Sequence, residues 1–210
     1  MLRRHFSLLV LSALFTGASQ AASARPTTIL VLGDSLSAEY GLQRGEGWVA
    51  LLQTRLNQEK IDAHVVNASI SGDTTSGGRS RLPALLAQHK PRVLVVELGG
   101  NDALRGLPLA MTQENLQAIV EAAKLAGAKV LLLGMQMPPN YGQAYGKQFA
   151  DMFSSVARNK QAALVPFLLK GVADGQDALK LFQVDRIHPL AAAHPTILNN
   201  VWPVLRKLLG

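Results

Sequence analysis

Ser35, Asp185 and His188 are the residues of this 210-residue chain whose types and spacing suit nucleophilic catalysis. Ser35 stands in Gly33-Asp34-Ser35-Leu36, directly after an apolar run, and Asp185-Arg186-Ile187-His188-Pro189 puts a carboxylate three residues before a histidine. A serine hydroxyl is a weak nucleophile until an imidazole takes its proton, and a carboxylate can fix the tautomer of that imidazole. Such chemistry also requires donors for a developing oxyanion. The candidates are the backbone N–H groups of Ser35 and Gly72 and the side-chain amide of Asn101, which lies in Gly99-Gly100-Asn101-Asp102. The serine is not in a Gly-x-Ser-x-Gly elbow, which argues against an α/β-hydrolase. With no Cys in the chain, thiolate nucleophiles, disulfides and Cys-ligated metals are excluded.

The same segments carry competing readings. Asp34, Asp73 and Asp102 each follow an apolar run and could converge on Mg²⁺; ordering of their turns by Asx-type hydrogen bonds is the simpler role for Asp34 and Asp102. The run from Ser71 to Gly78 could cradle a phosphate, but it lacks a Gly-Lys-Ser/Thr ending and reads better as a turn into a helix. His194 is a rival base, although it has no nearby upstream Asp and precedes Pro195 at an expected helix start. His64 and His89 read as surface residues. Glu97, inside an apolar run, has no reading beyond a buried polar contact.

The elements that must position these groups follow from periodicity. Apolar runs at Thr28–Leu32, His64–Asn67, Arg92–Leu98, Val130–Leu133 and Ala163–Pro166 read as strands, and their continuous apolar character indicates sheet covered on both faces. Helical spacing links Trp48, Leu51, Leu52 and Leu56, then Leu82, Leu85 and Leu86 ahead of Lys90-Pro91, then Leu116, Ile119, Val120 and Ala123 with Gly127 as a stop. Two more helices are expected over Tyr145–Ala157 and from about Leu190, with Pro195 opening a helix and Pro203 kinking or interrupting it. Strands alternating with helices imply one α/β domain with a parallel sheet, in which ligands bind beyond the C-terminal strand ends. No linker or repeat is visible.

The formal charge of +7 is scattered, without a basic stripe interleaved with aromatics, so nucleic acid is not an expected partner. Arg3 and Arg4 precede an apolar run from Phe6 to Phe15 and small residues up to Ala24, the pattern of a signal peptide over residues 1–24, with cleavage after Ala21 or Ala24. Loss of Arg3 and Arg4 lowers the charge from +7 to +5. The run is shorter than the roughly 20 residues a bilayer span needs, and no second one follows. The expectation is a periplasmic or secreted domain, residues 25–210, without stable membrane insertion and acting as a monomer.

Taken in order, Gly33-Asp34-Ser35-Leu36-Ser37, Gly72-Asp73, Gly99-Gly100-Asn101-Asp102 and Asp185-x-x-His188-Pro189 resemble the GDSL or SGNH hydrolase family. The stretches Asn67 to Thr74 and Glu97 to Gly106 are similar to its bacterial thioesterase I, multifunctional esterase and lysophospholipase subgroup. The resemblance implies a flavodoxin-like three-layer α/β/α sandwich on a five-stranded parallel sheet, hydrolysing carboxylic esters and thioesters without a cofactor or metal. It matches the family's catalytic Ser, Gly, Asn and His to Ser35, Gly72, Asn101 and His188, with Asp185 as third triad member. The partner is then a small acyl ester or thioester, including lysophospholipid, and export disfavours cytosolic acyl-CoA as the main substrate. Leu104, Leu107, Met135, Met137, Pro138, Tyr141 and Tyr145 are candidates for an acyl-chain groove, flexible Met side chains suiting varied apolar ligands. Glu39 and Arg186 depart from the subgroup, which usually has a small residue and Gly there; Arg186 could stiffen the His188 loop or pair with Glu39. A carbohydrate acetylesterase of the same superfamily is the alternative enzyme, and a non-catalytic binding module the alternative class.

Overall fold

The structure is a computed structural model that describes residues 26–210; the expected signal peptide lies outside the described residues. Five strands form one parallel sheet: β1 (Thr27–Gly33), β2 (Ala63–Asn67), β3 (Val93–Glu97), β4 (Lys129–Leu133) and β5 (Ala163–Val165), in the order β2-β1-β3-β4-β5. Six α-helices connect or follow them: α1 (Trp48–Gln58), α2 (Thr75–His89), α3 (Gly100–Leu104), α4 (Leu109–Leu125), α5 (Gln143–Lys160) and α6 (His194–Leu209).

Helices α1 and α6 pack together on one face of the sheet, and α2, α4 and α5 form a row on the other. This three-layer arrangement explains the continuous apolar strands. Ile29 to Leu32 of β1, Val93 to Val96 of β3 and Leu131 to Leu133 of β4 are all buried, because alternate side chains enter the two helix layers and neither face meets water. The central strands are held in register by ladders such as Leu30 with Leu94 and Leu94 with Val130. The strand order reverses direction between β1 and β3, and the crevice beyond their C-terminal ends is where such sheets bind ligands. Ser35 follows β1 and Asn101 follows β3, so both candidates fall at that point.

Three local features differ from expectation. Helix α2 begins at Thr75, well before Leu82, because the Thr74 side chain accepts the Gly77 N–H and caps it, while Pro83 stands inside the helix. The Gly-rich run is thus a turn feeding a helix, as its composition suggested. Helix α6 opens with Pro195 in its first turn but continues through Pro203, whose ring is exposed; the buried stripe of Ile197, Leu198, Val201, Trp202 and Leu205 runs across it. Packing of that stripe offsets the missing N–H, and the carbonyl it would have met can turn to water. The short α3, just after Gly99 at φ 115°, replaces what periodicity reads as loop. Gly134 shows why β4 ends where it does: a Cβ there would lie 2.4 Å from the Pro166 carbonyl oxygen, so only glycine lets the chains after β4 and β5 approach.

Candidate active site

Two segments from distant parts of the chain meet at the sheet edge. His188 Nε2 lies 2.8 Å from Ser35 Oγ, and His188 Nδ1 lies 2.7 Å from Asp185 Oδ2. The Asp185 carboxylate also accepts the N–H groups of Ile187 at 2.9 Å and His188 at 3.0 Å, so the loop is folded around its own acid. Partial burial pushes the Asp185 pKa upward, but the His188 ring, these two N–H groups and the imidazole charge outweigh it and bring it to about 2. Asp185 is therefore ionised across the neutral range and fixes Nδ1 as the protonated nitrogen, leaving Nε2 to accept from Ser35.

The loop leading to His188 is tied to the one after Ser35. Gln183 Nε2 donates to the Tyr40 carbonyl at 2.9 Å, and the Tyr40 ring stacks against the His188 ring at 4.3 Å between centroids. Tyr40 escaped the sequence reading because nothing local links it to a histidine 148 positions away. Arg186 adopts φ 58°, a left-handed conformation that costs a side-chain-bearing residue about 1–2 kcal/mol. It makes no ion pair with Glu39 among the described residues, contrary to one expectation: the Glu39 carboxylate instead accepts the N–H groups of Gly45 and Gly47 at 3.0 and 2.8 Å.

Around Ser35 the donors are arranged as follows. Among the described residues no acceptor takes the Ser35 or the Gly72 N–H. Gly72 sits at φ 78° in a turn closed by Asp73 N–H to the Ile70 carbonyl, a conformation that favours glycine. Asn101 Nδ2 donates to Asp34 Oδ2 and to the Asp73 carbonyl, each at 2.9 Å, so its two hydrogens are engaged and an incoming oxyanion competes with that carbonyl.

Arg81, on α2, braces this cluster. Its guanidinium pairs with the Asp73 carboxylate at 2.8 Å and donates to the Ala68 and Gly33 carbonyls. It thereby joins the loops that carry Ser35 and Gly72; its eight-residue separation from Asp73 was the signal available in the sequence.

The three edge carboxylates are each engaged within the protein. Asp34 Oδ1 accepts the Leu36 N–H in the expected Asx turn. Contrary to expectation, the Asp102 side chain does not order its own turn but crosses to α2 and accepts the Thr75 N–H and hydroxyl. Among the described residues no cluster of three His, Asp or Glu side chains is placed to hold a metal. Glu97, unexplained by sequence, is buried directly behind the nucleophile's turn: its Oε2 accepts the Ser37 hydroxyl at 2.8 Å and the Asp34 N–H at 3.3 Å. Burial raises the Asp34 pKa to about 6 despite hydrogen bonds that favour its charge, and burial together with the Asp34 charge raises Glu97 well above the usual carboxylate range.

Residues 31–195 match the GDSL-like lipase/acylhydrolase family. The chain belongs to that family. It is 55% identical over 182 residues to "Esterase TesA" of Pseudomonas aeruginosa, covering 87% of this chain and 89% of that one. It is 41% identical over 188 residues to "Thioesterase 1/protease 1/lysophospholipase L1" of Escherichia coli K12, covering 90% and 88%. The solved crystal structure of TesA superposes with a TM-score of 0.83 at 54% identity, over 87% of this chain and 99% of that one. The parallel sheet flanked by helices is therefore the fold of this family.

Within this family member, the acyl-groove candidates divide. Leu104 and Leu107 follow β3, and Met135, Met137, Pro138, Tyr141 and Tyr145 follow β4, all at the catalytic edge. Leu104 and Tyr141 are exposed there, at 39% and 38%, and Met137 and Tyr145 are half-buried against the core. Met135 corrects the expectation: at 8% exposure it is a core residue, because the chain stays beside the sheet for two residues beyond β4, with Gly134 N–H bonded to the Val165 carbonyl. The Tyr145 hydroxyl is buried without a hydrogen-bond partner. His194, the rival base, is a core residue whose Nδ1 accepts the Trp48 N–H at 3.0 Å; it makes no contact with Ser35.

Proposed function

We propose that this ester hydrolase acts on acyl esters and thioesters through an acyl-enzyme intermediate on Ser35. The observation that carries the reading is the unbroken line Ser35 Oγ, His188 Nε2, His188 Nδ1, Asp185 Oδ2, with contacts of 2.8 and 2.7 Å. Ser35 Oγ attacks the carbonyl carbon as its proton passes to His188 Nε2. The tetrahedral intermediate collapses, expelling an alkoxide or thiolate that takes the proton from His188. Water then repeats the cycle against the acyl-enzyme, with His188 as base.

The Ser35 and Gly72 N–H groups and Asn101 Nδ2 hold the oxyanion. A full negative charge is a stronger acceptor than the neutral Asp73 carbonyl that Asn101 meets at 2.9 Å, so the amide turns one N–H from that carbonyl to hydrogen-bond the oxyanion as the charge develops. The exposed apolar residues after β3 and β4, Leu104 and Tyr141 foremost, take the acyl chain. The activities printed in the relatives' names, esterase, thioesterase and lysophospholipase, support acyl amphiphiles as the substrate class. The leader over residues 1–24 supports export, and no described helix is long and apolar enough to cross a membrane.

Hydrolysis of p-nitrophenyl esters from acetyl to long-chain acyl tests the reading. A rise in kcat/KM with chain length is expected, and a clear preference for acetyl would overturn the acyl groove in favour of a carbohydrate acetylesterase. Stoichiometric labelling by a fluorophosphonate, abolished in Ser35→Ala, is the expected signature of the nucleophile; an unlabelled protein would point to a binding module.

A further inference from the structure

Asp34 and Glu97 both carry buried carboxyl groups, 3% and 1% exposed, and are joined where Glu97 Oε2 accepts the Asp34 N–H at 3.3 Å; among the described residues neither carboxyl has a cation within ion-pair distance. Two buried like charges without a counter-ion do not both persist, so one proton must be retained between them. The surrounding donors determine its place. Asp34 receives hydrogen bonds from the Leu36 N–H at 3.1 Å and the Asn101 amide at 2.9 Å, both of which favour a carboxylate. Glu97 accepts only through Oε2, from the Ser37 hydroxyl at 2.8 Å and the Asp34 N–H at 3.3 Å, and among the described residues no donor meets its Oε1. Both Asp34 oxygens are thus held as those of a carboxylate, whereas Glu97 Oε1 is left to carry the proton. Ser37 is held in turn by Trp48 Nε1–H at 3.2 Å, which seals the pair from the α1 side with uncharged groups.

We propose that Asp34 and Glu97 are positioning residues, a carboxylic acid and a carboxylate sharing one proton, which aim the Asn101 amide into the oxyanion hole through Asp34 Oδ2. The inference rests on the reading of Asn101 as an oxyanion donor. Without Asp34 as acceptor, the amide is left with the Asp73 carbonyl alone and is free to turn about its side-chain torsions. The other ionisable groups facing the pair are few. His188 lies within electrostatic reach of Asp34 from the loop after β5, and Arg81 touches the Gly33 carbonyl from α2 while its charge is taken up by Asp73. The raised pKa of Asp34, about 6, places gain of the second proton just below neutrality. There the pair becomes neutral, Asp34 no longer accepts as a carboxylate, and the hold on Asn101 weakens.

Infrared spectroscopy of the wild-type protein at neutral pH tests the shared proton without reference to activity. A protonated carboxylic-acid carbonyl band is expected, lost in Glu97→Gln; its absence in the wild type would overturn the proposal. Steady-state kinetics test the positioning. Asp34→Asn should lower kcat about 10- to 100-fold with KM within about twofold, the size of effect expected when a reacting geometry slips. The part of the wild-type decline in kcat that follows proton gain by Asp34 at about 6 should be missing from Asp34→Asn. Glu97→Gln, a fixed mimic of the protonated acid, should recover most of the kcat lost in Glu97→Leu. Wild-type kcat and pH profile in Asp34→Asn, or equal impairment by Gln and Leu at position 97, would overturn it. If instead Asn101→Ala leaves the rate unchanged, the oxyanion reading itself falls, whatever the infrared band shows.

Discussion

Asn101 carries the clearest energetic consequence of a single side chain. Its amide lies between a carboxylate and a backbone carbonyl, each at 2.9 Å, and in the proposed mechanism it meets substrate charge only when that charge develops. Such a donor contributes to the transition state far more than to the ground state. Asn101→Ala should therefore lower kcat about 10²–10³-fold with little change in KM or melting temperature, as measured by steady-state hydrolysis and circular dichroism. Arg186 shows the opposite kind of effect, a cost borne by the resting protein. At φ 58° between Asp185 and Ile187 it strains the loop that presents His188. Arg186→Gly should raise stability by about 1 kcal/mol by removing the left-handed penalty, read as a higher melting temperature. A shift in kcat with it would show that the strain is felt at His188. Glu39 carries the same strain at φ 59°, but its carboxylate is repaid by two backbone N–H groups, so Glu39→Gly forfeits contacts that Arg186→Gly does not.

At the scale of elements, the site depends on how helices are pinned to the sheet. The Trp48 N–H at the start of α1 donates to Nδ1 of His194 at the start of α6, so one buried imidazole joins the two helices of that layer. Burial lowers the His194 pKa below its ordinary 6.5, against the opposing pull of the Pro189 carbonyl, Glu39 and Glu46. A histidine whose pKa is lower in the folded than in the unfolded chain contributes stability that is complete above 6.5 and is lost as pH falls below it. Thermal unfolding between pH 7.5 and 5.5 should show that loss, and His194→Asn should flatten it. The shift of Asp34 acts with the opposite sign between about 4 and 6, so the difference between wild type and variant is the informative quantity. On the other face, Arg81 links α2 to the end of β1 and to the loop after β2, through the Gly33 and Ala68 carbonyls and the Asp73 carboxylate.

Considered whole, the molecule is a sheet whose one edge gathers every candidate catalytic group. If residues 1–24 direct export, expression in a bacterium with an outer membrane should yield a periplasmic protein whose mass and first residue correspond to cleavage after Ala21 or Ala24; an intact precursor in the cytoplasm would contradict that. Much of this was legible in one dimension. Apolar runs and helical spacing located all five strands and five of the six helices, because continuous hydrophobicity in a doubly covered sheet is a property of each segment by itself. Ser35, Asp185 and His188, which the fold brings within hydrogen-bond distance, could be singled out in the sequence because their types stand in short contiguous motifs. Tertiary structure decided what depends on residues far apart in the chain. It stacked Tyr40 on His188, set Arg81 across two loops, buried Met135 in the core and placed Glu97 against Asp34. Periodicity reports which face of an element is covered but not what covers it, and the energy of a buried charge is set by that neighbour. The type of reaction was therefore readable from the order of residues, whereas the protonation and aim of the groups behind it were settled only by packing.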